Sequence, residues 1–350
     1  MKRRLFLLLI PFFLFSACDS WLDIVPEEDI ATIDTDFETR DGANAWLESC
    51  YAFLMRSIST IENAWLFGTD EVMACDYVLN RWEGFFPSFS ITSGLQNSLD
   101  PYDDVWSHKE EMSGSVGRTD FYTAISLCNI FINKIDQVYN MENREKSEWK
   151  AEVKALKAYY YFELVRHYGP IVLLPENIDP NLSIKEMKLP RNHVDSCFLA
   201  IVRLCDEAAE VLPHFNEKAT NRRTYFSKEA ALALKARALL YQASDLFNGN
   251  QDYVNFTNKN GELLISATKD EINRDLAAEA AEAAIEACRE GGKKLVDNQS
   301  GMTDLQTHML NIEASTQTYN YDSDEVLFLV KRRTAKEEGF WTYTLPNLNS

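Results

Sequence analysis

The most specific chemistry in the sequence is acylation of one thiol, that of Cys18. Three basic residues at the N-terminus precede an apolar stretch from Leu5 to Phe15, and the small pair Ser16-Ala17 stands directly before the cysteine. A basic start, an apolar stretch and small residues at its end are the three parts of a secretory signal. The stretch is shorter than the roughly 20 apolar residues that a membrane-spanning helix needs.

We therefore predict that residues 1–17 are a cleaved lipoprotein signal, and that Cys18 receives a diacylglyceryl group and an acylated N-terminus. Several acyl chains exceed the two signals that stable membrane anchoring requires, so the lipid would hold the mature chain at a membrane. The alternative is an ordinary cleaved signal that is followed by a chance cysteine.

The charge balance excludes one class of partner. Cleavage would remove three of the 35 basic residues and none of the 54 acidic ones, which leaves a net charge of −22. Such a surface repels phosphate backbones and anionic headgroups. We predict no nucleic-acid partner, and membrane attachment through the lipid rather than through a basic patch.

Motifs for catalysis, cofactors and metals are absent from the sequence. The five histidines form no HExxH, the cysteines form no CxxC, and no P-loop, GxSxG or GxGxxG occurs. The acidic run 320–325 lacks the glycine of an EF-hand loop and is typical of a solvated turn. We predict a protein that is not an enzyme and that has no cofactor or metal. The six cysteines after Cys18 allow 15 pairings, and we interpret most of them as buried free thiols.

Most of the chain shows the periodicity of α-helices, so helices must position any site. The periodic segments are 37–58, 120–139, 145–168, 192–212, 227–247 and 274–290. Gly169-Pro170, Asn248-Gly249 and Gly291-Gly292 are stop signals after three of them. Residues 63–101 differ, because they are rich in aromatic residues, glycine and serine without a long period. A stretch of this length without regular elements usually carries function.

Small residues recur in these helices at the offsets of the second helix of a tetratricopeptide unit. The clearest set has offsets 0, 4, 7 and 12: Ala158, Phe162, Val165 and Pro170. Further candidates for the same packing are Ala236, Leu240, Ala243, Ala281 and Ala284. The pattern predicts a mainly α fold of stacked, tetratricopeptide-like helix pairs; an unrelated helical bundle with alanine-rich interfaces is the alternative.

Three stretches together resemble the SusD/RagB family of outer-membrane nutrient-binding lipoproteins of Bacteroidetes. They are CDSWLDIVP at 18–26, EVKALKAYYYFELVR with YGPIVL over 152–173, and SKEAALALKARALLYQAS with LFN over 227–248. Their order and spacing also match the family, and the resemblance runs from Cys18 to about Trp341. The motifs belong to the scaffold and do not identify a ligand.

The resemblance implies a SusD-like α-α superhelix with a less regular, aromatic-rich region that binds the ligand. It implies a lipid-anchored tether over 18–35 and a SusD-like domain over 36–350. Within that domain we expect an irregular ligand-side segment at 63–101, helix pairs over 118–292 and the start of a C-terminal ligand-side region at 293–350. Family members are usually longer, so we expect that the C-terminal part of the domain is missing.

Two stretches outside the helices combine flat aromatic faces with hydrogen-bonding groups, as sugar rings require. In the family the ligand face comes from about these two places in the chain. The expected ligand residues are Asp76, Tyr77, Asn80, Arg81, Trp82, Trp341 and Tyr343. The alternative is that Trp82 and Trp341 are core aromatics. We expect Trp106 to be structural.

The resemblance implies a protein that faces the cell exterior on the outer membrane, binds glycan and delivers it to a SusC-like TonB-dependent transporter. A peptide-nutrient binder on the same scaffold and a tetratricopeptide-type scaffold for envelope assembly are the alternatives.

Overall fold

The computed structural model describes residues 33–54, 91, 94–99, 101, 104–106, 120–177, 182–295 and 326–328. Its helices are α1 (Ile33–Asp36), α2 (Arg40–Tyr51), α3 (Phe121–Lys134), α4 (Asn143–Tyr168), α5 (Ile184–Met187), α6 (Val194–Ala209), α7 (Lys228–Gln242) and α8 (Ile272–Glu290). Short 3-10 turns occupy Ile135–Gln137, Phe215–Glu217, Thr220–Arg222 and Gln251–Tyr253. The predicted mainly α class is confirmed.

Local chemistry explains where these helices begin and end. Asp120 and Ser227 cap α3 and α7, because their side chains accept hydrogen bonds from the N–H groups of Thr123 and Ala230. Gly169 ends α4 with a φ of 70°, which glycine adopts without strain. The predicted helix 227–247 is too long at its C-terminus, since the turn around Ser244 replaces the helix after Gln242.

The long helices form a stack in which chain neighbours are also neighbours in space. Helix α3 packs on α4, α4 on α6, α6 on α7 and α7 on α8, while α2 covers α3 and α4. Such a stack is the arrangement that helix-pair repeats predict. Its core runs through α4, where Ala158, Phe162 and Val165 are buried as their spacing predicts.

The predicted spacing is wrong at one position in α7 and at one position in α8. Leu240 is 64% exposed, whereas its neighbour Leu239 is buried and packs with Ala243, Ala277 and Ala280. Residue 281 is exposed as well, whereas Ala284 is buried as predicted, together with alanines 277, 280 and 287 of α8. Both helices carry alanine or leucine on several faces, so the offset pattern alone does not determine which face meets the neighbouring helix.

A buried ion cluster joins α4 to the turns that precede α7. The carboxylate of Glu152 accepts a hydrogen bond from Lys218 Nζ at 2.8 Å and contacts the guanidinium of Arg222. Lys218 also donates to the carbonyl of Phe226 at 2.7 Å. Burial raises the pKa of the Glu152 carboxyl, and the two cations oppose that effect. The cluster therefore satisfies a charge inside the stack and fixes residues 215–226 against α4.

The cysteines within the described ranges carry free thiols, as predicted for most of them. Cys50, Cys128, Cys197 and Cys205 are buried, and Cys288 is partly exposed. Within the same ranges, no helix is long and apolar enough to cross a membrane, and no group of three or more histidine, cysteine or acidic side chains is placed to hold a metal ion.

Candidate functional site at the Trp106 edge

The seven side chains predicted to bind ligand lie outside the described residues, as does the predicted lipidation site: Asp76, Tyr77, Asn80, Arg81, Trp82, Trp341, Tyr343 and Cys18. The structure does describe residues 104–106, which follow the predicted segment 63–101 in sequence and contact the helix stack. We call this place the Trp106 edge and define it by Asp104–Trp106, Tyr122, Tyr168 and Arg191.

Two helix ends hold the backbone of the Trp106 edge. Tyr168, the last residue of α4, donates its hydroxyl hydrogen to Asp104 Oδ1 at 3.1 Å and accepts from the Val105 N–H at 3.0 Å. At the start of α3, the Phe121 N–H donates to the carbonyl of Val105 at 2.9 Å. Residues 104–106 are thus fixed to both helices by directed hydrogen bonds, although they belong to neither.

The indole of Trp106 packs edge-to-face against two tyrosines. Its ring centroid lies 4.9 Å from that of Tyr122 and 5.3 Å from that of Tyr168, at interplanar angles of 71° and 83°. The guanidinium of Arg191 lies over the indole ring, 5.0 Å from its centroid, and donates from Nη1 to the Tyr168 carbonyl at 3.4 Å. Because Arg191 covers one indole face, this geometry supports the structural role expected for Trp106.

The segment after α4 makes the rest of the edge rigid. The hydroxyl of Tyr122 both donates to the Val172 carbonyl, at 3.1 Å, and accepts from the Val172 N–H, at 3.0 Å. Burial raises the pKa of Tyr122, so the phenol keeps the proton that it donates. Asn192 completes the connection, because its N–H donates to the Ile171 carbonyl at 2.7 Å and its Oδ1 accepts from the Leu173 N–H at 2.9 Å.

The edge also contains a cation that the sequence did not mark. Arg191 lies three residues before α6, in a connection that shows no periodicity or motif. Its importance comes only from tertiary contacts with Trp106 and Tyr168. Together these groups place a planar hydrogen-bond donor beside three aromatic rings and a carboxylate. Such a combination can bind hydroxyl or carboxylate groups of a ligand.

One contact involves the predicted C-terminal segment 293–350. Phe328 stacks on Phe226, with ring centroids 4.3 Å apart and planes inclined by 26°. Phe226 directly precedes the N-cap of α7. Residues 326–328 therefore lie against the start of α7.

Comparison with known proteins shows which family the chain resembles. The SusD-like model described as "Starch-binding associating with outer membrane" matches residues 88–240. SusD-like protein P38 of Formosa agariphila is 25% identical over 237 residues, which are 67% of this chain and 41% of that protein. A SusD-like protein of Bacteroides ovatus is 25% identical over 241 residues, or 67% and 39% of the two chains. The chain thus spans about two-fifths of the length of these relatives.

Solved structures share the fold. BT4246 superposes with a TM-score of 0.65 at 24% identity, over 84% of this chain and 51% of its own. A laminarin-binding SusD-like protein has a TM-score of 0.58 at 19% identity, over 83% and 51%. The family match covers the stretch at 152–173 and most of the stretch at 227–248, and the solved structures agree with the helix stack. In sequence and in fold the chain is similar to proteins of the SusD-like family.

Proposed function

We propose that this protein is a glycan-binding lipoprotein of the outer membrane. The observation that carries the proposal is the match of residues 88–240 to a family described as starch-binding and associated with the outer membrane. The helix stack supports it, because the same fold occurs in a protein described as laminarin-binding. In this proposal the protein binds its ligand without chemical turnover.

The domain organisation of the proposal follows the predicted boundaries. Residues 1–17 are the signal, the lipid on Cys18 anchors residues 18–35 as a tether, and residues 36–350 form the SusD-like domain. The helix pairs over 118–292 act as the scaffold. The ligand face is formed by residues 63–101 together with the region that begins at 293, and the protein faces the cell exterior.

The partner in the proposal is a SusC-like TonB-dependent transporter, to which the protein delivers captured oligosaccharide. A lipid tether suits that role, since it keeps the protein at the membrane while leaving the domain free to move over a transporter. A Cys18→Ala variant should lose surface retention and keep its fold and its affinity for glycan. Loss of affinity in that variant would contradict a purely tethering role.

Isothermal titration of the full mature chain against a panel of neutral and acidic glycans tests ligand binding. We expect binding to at least one glycan, and a loss of about tenfold or more in affinity for Trp82→Ala or Trp341→Ala, because a stacked aromatic residue is a typical binding hot spot.

The matched control is Tyr139→Ala. Tyr139 is 77% exposed and lies in the connection between α3 and α4, at the end of α4 opposite to Tyr168. Removing this aromatic ring should leave glycan affinity unchanged. Absence of binding to every glycan in the panel would refute the proposal, and binding to peptides instead would assign the scaffold to peptide capture.

A further inference from the structure

We propose that the Trp106 edge selects glycans that carry a carboxylate, and that Arg191 is the residue that binds it. The inference rests on the proposed glycan-binding function and adds a class of ligand to it.

Arg191 is held in place before any ligand arrives. The Trp106 indole supports its guanidinium from one side, and Nη1 donates to the Tyr168 carbonyl. The backbone is fixed as well, because Asn258 Nδ2 donates to the Arg191 carbonyl at 3.1 Å. A donor that is already ordered loses little conformational entropy on binding.

One edge of this guanidinium remains available. Nη1 is the nitrogen that bonds to Tyr168, and among the described residues Nε and Nη2 have no hydrogen-bond partner. Nε and Nη2 form the fork that binds a carboxylate through two parallel hydrogen bonds. Arg40 shows this arrangement in the same protein, since its Nε and Nη2 donate to the Glu145 carboxylate at distances of 2.6–3.1 Å.

The charges around Arg191 favour an anion. The turn at 258–261 contacts the connection that carries Arg191: the Lys259 ammonium bonds to the Lys188 carbonyl, and Asn258 bonds to the Arg191 carbonyl. Lys188 and Lys259 are exposed, and within the described ranges neither they nor Arg191 form an ion pair.

The carboxylates near these cations are already engaged. Asp104 accepts from the Tyr168 hydroxyl and the Trp106 N–H, and Glu262 accepts from Asn258 Nδ2 at 2.7 Å. Glu186 accepts from the Ser183 hydroxyl and N–H. On a chain whose net charge is strongly negative, the edge carries a guanidinium that has no counter-charge among the described residues. It fits an acidic sugar, whose ring packs on aromatic residues while its carboxylate meets the guanidinium fork.

The test is isothermal titration of the full mature chain with polyuronate oligosaccharides of three backbones, galacturonate, glucuronate and mannuronate, and with the carboxyl-reduced form of each. Reduction removes the charge and keeps the sugar chain. We expect at least one acidic oligosaccharide to bind about tenfold or more tightly than its reduced form. Arg191→Ala should abolish this preference and retain the affinity for the reduced form.

Two further variants separate selectivity from stability. Arg191→Lys keeps the charge but removes the fork, so it should retain the melting temperature better than Arg191→Ala and still lose most of the preference. Arg144→Ala removes the same charge from the other end of α4, about 36 Å away along the helix axis, and should leave the preference intact.

The outcomes distinguish this inference from the proposed function. Equal affinity for acidic and reduced forms, or binding to neutral glycans alone, overturns the inference and leaves glycan binding in place. Tight binding to sulfated galactan oligosaccharides without binding to uronates overturns the assignment to carboxylate. Binding to no glycan of any kind refutes the proposed function as well. A variant Arg191→Ala that melts earlier but keeps the preference would make Arg191 a structural support only.

Discussion

Replacing Glu152 by glutamine should destabilise the helix stack far more than the loss of one surface charge does. The Glu152 side chain is 3% exposed, and so is that of Lys218, whose ammonium lies 2.8 Å from it. The substitution keeps the size of the side chain but leaves Lys218 buried without a counter-charge. Removing one partner of a buried ion pair costs about 3–5 kcal/mol.

The contacts around Glu152 indicate that the loss in free energy of unfolding lies toward the lower end of that range. Glutamine still offers an oxygen to Lys218, and Lys218 keeps its hydrogen bond to the Phe226 carbonyl. Arg222 is 18% exposed and lies over the rings of Trp149 and Tyr225, so it retains favourable contacts without the carboxylate. We therefore expect the free energy of unfolding to fall by about 3 kcal/mol.

Urea denaturation followed by circular dichroism measures this loss, and Glu148→Gln is the matched control. Glu148 lies one turn earlier on α4 and pairs with Arg144, which is 84% exposed, so its loss should cost less than about 1 kcal/mol. The double variant Glu152→Gln with Lys218→Met should recover part of the stability, because it removes the unpaired ammonium. If Glu152→Gln costs no more than Glu148→Gln, then Glu152 does not compensate the buried charge of Lys218.

Three further predictions concern other contacts. Gly291→Ala should lower the free energy of unfolding by about 1–3 kcal/mol, since an added Cβ would lie 1.8 Å from Oε1 of the buried Glu229; urea midpoints measure it, and an unchanged midpoint would contradict the close approach. Tyr160→Phe should cost about 1–3 kcal/mol in the same assay, because the buried Cys50 carbonyl loses its 2.6 Å hydrogen bond; a neutral effect would argue against that bond. Among the described cysteines of the native protein, Cys288 should react first with a thiol reagent, since the other four are buried. Burial raises the pKa of Cys288, so its labelling rate should still rise as pH increases beyond 9; equal rates for all five thiols would refute this.

Much of the fold could be predicted from local chemistry. The period of α4, its stop at Gly169 and the caps Asp120 and Ser227 depend on residues within a few positions of one another, and the structure agrees with them. The burial of Phe162 followed from the same kind of local spacing. The choice of Leu239 over Leu240 did not, because it depends on how α7 rotates against α8, and both leucines fit the local pattern equally well.

Less of the candidate site could be predicted from the sequence. The predicted aromatic ligand residues and Cys18 remain predictions, since they lie outside the described ranges. Trp106 was expected to be structural, and its packing against Tyr122 and Tyr168 supports that role. Arg191 had no signal in its own neighbourhood, because the residues that orient it are 85 and 23 positions earlier in the chain.

The sequence by itself therefore determined the helices, their caps and the resemblance to the SusD-like family, because each of these depends on short-range patterns that a single chain displays in order. Only the tertiary structure decided which face of α7 is buried, which charges compensate Glu152 and which cation lies on the indole of Trp106. The physical reason is that these properties depend on the distances between side chains that are remote in sequence. Burial, charge compensation and orientation of a donor arise only when the packed helices bring those groups within a few ångströms of each other.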